Sequence, residues 1–148
     1  MATDGTANAS SRFAVFQVLG RVFQHLNSEN LQSLLLAIAH RPDSLEKIHR
    51  FQALETICRT VQETAVKYER PEAASWANLW AVGARSAARA AWKRLYGESA
   101  PPMPPAEQLD STVLLDFMND AELMRLLGLE VGWTPDLKRA DKELDGLG

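Results

Sequence analysis

Four of the five residues from Pro101 to Pro105 are proline, and no helix runs through such a stretch, because each ring removes an amide donor and clashes with the preceding turn. The run from Ser99 to Ala106 therefore divides the chain into two sets of elements joined by an extended, semi-rigid spacer. Charge divides at the same place. Residues 1–106 hold 12 Lys and Arg against 9 Asp and Glu, a net of +3, whereas residues 107–148 hold 4 against 10, a net of −6 within an overall −3. The organisation expected is a flexible lead over 1–10, a helical bundle core over 11–97, a Pro-rich spacer over 98–106 and an acidic, apolar, helical segment over 107–148.

A chain of 148 residues is long enough to bury a sizeable core in one domain. Its single cysteine, Cys58, cannot form an intramolecular disulfide, which removes the disulfide-stapled class and fits a reducing compartment. Residues 1–10 are small and polar, without the basic and apolar regions of a secretory signal. The most apolar stretch, Phe13 to Leu26, is interrupted by Gln17, Arg21, Gln24 and His25 and is too short to cross a bilayer. A cytoplasmic protein without a membrane span is expected.

Apolar spacing points to helices throughout. Ser10 and Ser11 precede a stretch to Leu26 that is apolar on nearly every side, suited to the middle of a bundle or to another subunit. A second helix over Leu31–His40 ends at Pro42. Asp43 and Glu46 form a capping-box pattern that opens a third helix to about Glu69. Along it Phe51, Leu54, Cys58, Val61, Ala65 and Tyr68 repeat as the seam of a left-handed helix pair. Arg70-Pro71 starts a fourth helix that reaches Tyr96 and closes on Gly97, so the third and fourth form a long antiparallel hairpin at the centre. Trp76, Trp80, Gly83, Ala84, Ala87, Ala91 and Leu95 form its expected packing face, with Gly83, Ala87 and Ala91 admitting either the first helix or a second copy. Beyond the prolines, Asp110 or Ser111 caps one short helix, Asn119-Asp120 another, and Thr134-Pro135 opens a charged last one. With no sustained period-two alternation, the fold class is all-α: four main helices, the spacer and shorter C-terminal helices.

Little in this sequence carries chemistry. Glu46 and His49 match half of a carboxylate-bridged di-iron pattern, but neither His25 nor His40 has a glutamate three residues before it. Cys58 lies on the apolar seam, where a thiol acts as a small hydrophobe. Phosphate-binding loops and nucleophile elbows are absent from the sequence. The expectation is a non-enzymatic protein without metal, cofactor or catalytic residues.

Surfaces are more informative. Eleven large apolar side chains fall within the twenty residues from Leu114 to Trp133, too many to leave in water when each burial stabilises by about 1.5–3 kcal/mol. Two readings follow. The segment either folds back across its own helices, or it inserts into another protein or another copy, with Phe117, Met118, Leu123, Met124, Leu127 and Trp133 as anchors and Asp116, Asp120 and Glu122 as a charged rim. A second surface is the stripe of Arg85, Arg89 and Lys93 beside Trp92, which suits a solvated face, a nucleic-acid contact, or a dock for the acidic tail. The function expected is an adaptor, accessory factor or inhibitor that binds another protein. A nucleic-acid-associated regulator and a self-assembling helical subunit are the alternatives.

Overall fold

The computed structural model describes residues 27–127, and every regular element among them is helical. In order these are α1 (Ser28–Ala39), α2 (Leu45–Lys67), α3 (Pro71–Tyr96), a 3-10 turn at Ala106–Gln108, α4 (Ser111–Met118) and α5 (Ala121–Leu126). The bundle is centred on the long antiparallel pair α2 and α3. The expected helix over residues 11–26, the lead before it, Trp133 and the helix starting at Thr134 lie outside the described residues.

The α2–α3 hairpin is made by its turn. At the end of α2 the Arg70 amide donates to the Ala65 carbonyl at 2.8 Å and the Glu69 amide to Val66 at 3.2 Å, a closure that needs a left-handed residue between them. Glu69 fills that place at φ 54°, where glycine is the usual occupant. Pro71 then supplies the first turn of α3 without the amide that would have been unsatisfied there. At the far end Gly97 takes φ 86° as its amide donates to Lys93.

Most of the predicted seam of α2 is buried, from Phe51 to Ala65, but Tyr68 is exposed because it caps the helix rather than continuing it. The cap at the other end differs from the expected box. Ser44 Oγ accepts from the Lys47 amide at 3.0 Å, while Asp43 turns outward to Lys47 Nζ and Arg94. The packing face of α3 also differs. Its fully buried residues are Ala77, Ala81, Ala84, Ala88 and Ala91, an alanine ridge that lets α2 approach more closely than the tryptophans would. Trp76 and Trp80 flank that ridge half-buried, and a side chain at Gly83 would meet Leu35 of α1.

Helix α1 begins earlier than its apolar residues imply, since Asn27 caps it by accepting from the Asn30 amide. Its other end is closed by a side chain from α2. The buried Lys47 donates to the carbonyls of Ala39 and Arg41, at 3.0 and 2.7 Å, and to Asp43 Oδ1 at 3.1 Å. All three ammonium donors are thereby satisfied, which is what allows a lysine to be 5% exposed.

The proline run is strapped to the bundle. Gln52 Nε2 donates to the Pro104 carbonyl at 2.7 Å and Trp92 Nε1 to Pro101 at 2.9 Å. Proline carbonyls remain acceptors although the amides are lost, so an extended strand can still be fastened from the side. The strap delivers α4 and α5 onto α1 and α2.

Candidate functional site

Of the two places read from the sequence as partner-binding, the first is spent on the fold. Phe117, Met118, Leu123 and Met124 are each 0% exposed within a core shared with α1, α2 and α3, and Leu127 packs partly against it. Fold-back therefore replaces insertion as the use of these four side chains, because the apolar faces of α1 and α2 cover them within the molecule. Asp110 and Asp120 cap the two short helices by accepting from the amides of Thr112 and Leu123.

The expected rim is also used internally. Asp120 takes a two-pronged hydrogen bond from Arg41, at 2.6 and 2.8 Å, and a third from Arg50 Nε at 3.1 Å. Burial alone would push its carboxyl up, but these donors and the Leu123 amide outweigh burial and hold it at about 2. Glu122, on the exposed side, accepts from Arg41 at 3.2 Å. Asp116 stays exposed, near a half-buried His49 that burial and Arg50 push down.

The second place, the basic stripe, is open. Arg85, Arg89 and Lys93 are exposed, and none forms an ion pair or side-chain hydrogen bond among the described residues. Trp92 is half-buried instead, stacked obliquely on Tyr96 at 4.4 Å while its indole nitrogen holds the strap. The stripe is not uniformly cationic. Glu55, raised by burial against the pull of Arg85, lies close enough to feel Arg59, Arg89 and Glu107 as well. Arg94 is tied to Asp43 at 2.8 Å.

Beside the stripe lies a surface outside both the expected packing face and the basic stripe. On the outward face of α3, Leu79 is 61% and Val82 48% exposed. With Trp76 they form the apolar floor of an open groove of about 620 Å³, edged by Glu72, Ser75 and Asn78. Ser86 and Ala90 continue the same face without a charge. Its signal in the sequence is the run of apolar and small residues on that sector, which neighbours the sector of the tryptophans and alanines.

Cys58 is buried and its thiol is pushed up to about 12 by burial. Glu46 is exposed and pairs with Arg50 rather than joining His49. No cluster of three His, Cys, Asp or Glu with metal-binding placement occurs among the described residues, and no helix among them is long and apolar enough to cross a membrane. Compared with protein-family models, curated proteins and solved structures, the chain matches none.

Proposed function

We propose that this chain is a non-enzymatic protein-binding module, an adaptor or accessory factor of the cytoplasm, that accepts an amphipathic helix of a partner protein along the outward face of α3. One observation carries the reading: among the described residues an apolar strip, the exposed Leu79 and Val82 with the half-buried Trp76, runs beside Arg85 and Arg89, two exposed cations that form no ion pair there. Single exposed leucines are ordinary on protein surfaces. A continuous apolar strip with a charged flank is the layout of a helix-accepting groove, in which the floor supplies burial and the flank supplies orientation. The partner that fits is apolar on one side and acidic along one flank, and its association should slow as salt screens Arg85 and Arg89.

A photo-crosslinking residue at position 79, in the full chain expressed in its own cells, tests this. The expected product is a covalent adduct with a foreign polypeptide, mapped to one of its acidic amphipathic helices and lost when Val82→Asp is added. No adduct, or adducts with this chain alone, would reject the reading.

A further inference from the structure

On the outward side of α3, Glu72, Ser75, Leu79, Val82, Ser86 and Arg89 follow one another at steps of three, four, three, four and three. That spacing is the seam of a left-handed helix pair, and it lies opposite the alanine ridge on which α2 packs. All six residues are exposed. Among the described residues the carboxylate of Glu72, the two serine hydroxyls and the guanidinium of Arg89 form no ion pair or side-chain hydrogen bond. The nearest competing carboxylate is Glu55, which feels Arg89 least of the charges around it. Helix α3 thus carries two seams, one taken by α2 and one open among the described residues.

The open seam is its own complement when turned end for end. It has a carboxylate at its N-terminal end, a cation at its C-terminal end, an apolar pair at the centre and a serine on either side of that pair. In an antiparallel pair about an axis midway between Leu79 and Val82, Leu79 comes level with Val82 of the second copy, Ser75 with its Ser86, and Glu72 with its Arg89. The small serines let the two helices approach closely, and Trp76 falls beside the second copy's Arg85, where a ring face suits a guanidinium. Packed parallel, the same seam would set Glu72 on Glu72 and Arg89 on Arg89, so charge selects the direction.

We propose that two copies of this chain associate through the outward faces of α3, antiparallel about a two-fold axis between Leu79 and Val82. Each contact then occurs twice, as in any isologous interface. The pairing uses the same face as the function proposed above but does not rest on that function, and a partner helix and a second copy exclude each other there.

Sedimentation equilibrium of the full chain over a concentration series tests the pairing. The expected result is a reversible equilibrium between monomer and dimer. Glu72→Arg and Arg89→Glu should each weaken the dimer about tenfold, because two exposed attractive pairs become repulsive in the symmetric assembly. Mixing the two variants restores both pairs, and a mixed dimer about as tight as the parent is expected. Both positions are exposed, so the circular dichroism of each variant should match that of the parent. A monomer at every concentration would overturn the proposal. So would a dimer indifferent to the reversals, or variants that fail to associate on mixing. Adducts at position 79 with this chain alone would reject the partner helix and leave the pairing standing, whereas a monomer in the centrifuge would reject the pairing and leave the partner helix standing.

Discussion

Residues 111–127 and the outward face of α3 are both apolar, and the molecule treats them in opposite ways. On α4 and α5 the apolar side is sealed against α1 and α2, and the polar edge is locked by Asp120 between Arg41 and Arg50. On α3 the outward apolar side is open among the described residues, and the neighbouring cations Arg85 and Arg89 form no ion pair there, with Glu55 the carboxylate that feels them. An apolar run and a charged edge are thus equally compatible with a structural and a recognition role. What separates them is whether the same chain supplies both the apolar cover and the counter-charge.

The comparison breaks most visibly if the sealed region is removed. Burial of Phe117, Met118, Leu123 and Met124 is worth roughly 6–12 kcal/mol together, about the whole stability of an ordinary domain. A chain ending at residue 106 should show no cooperative transition in calorimetry. A cooperative, folded 1–106 fragment would mean that the tail is a passenger.

A single large side chain gives a graded version. Phe117→Ala should cost about 3–5 kcal/mol in urea unfolding, since the site is enclosed on all sides and collapses poorly. The Asp120 clamp ranks next. Asp120→Asn keeps the volume but removes the carboxylate that Arg41 and Arg50 share, leaving them only the more exposed Glu122 and Glu46, and a loss of about 1.5–3 kcal/mol at neutral pH is expected.

That clamp also sets a pH signature. The Asp120 carboxyl sits at about 2 in the folded chain against a reference value of 3.8. Its contribution is therefore complete above the unfolded value and disappears as the pH falls from there toward about 2. Asp43, held at about 2 by Arg94 and Lys47, acts in the same direction and window. Denaturation titrations of the parent and Asp120→Asn should diverge above that window and converge below it. Parallel curves would show that the clamp contributes nothing.

The smallest stability effect is expected where the functional effect is greatest. Leu79→Asp should leave unfolding within about 0.5 kcal/mol of the parent, because the side chain already lies mostly in water. It should nevertheless abolish occupancy of the groove by a partner helix. A loss of several kcal/mol at Leu79 would place it in the fold and erase the contrast with Phe117.

Local features were legible in residue order to different degrees. Pro71 and Gly97 mark both ends of α3, and the residues from Phe51 to Ala65 mark the buried side of α2, because backbone geometry and helical spacing act over a few residues. Asp110 and Asp120 read as caps for the same reason. The Lys47 closure of α1 was not legible, since a lysine four residues after Asp43 looks like an ordinary exposed pair. Nor was the second task of Asp120, whose partner Arg41 is 79 residues away. The expected packing face of α3 is displaced because Trp76 and Trp80 look like the natural core, while close helix packing favours the smaller alanines.

From residue order alone came the helical class, the break at the prolines, the hairpin and the need of the acidic tail for cover. Each follows from interactions between near neighbours or from the total amount of apolar surface. Only the folded chain decided that residues 111–127 are covered by α1 and α2, that the spacer is fastened by Gln52 and Trp92, and that an apolar face left open among the described residues lies on α3. Burial is non-directional and does not specify which surface meets which, so that choice waits for shape and counter-charge to meet in three dimensions.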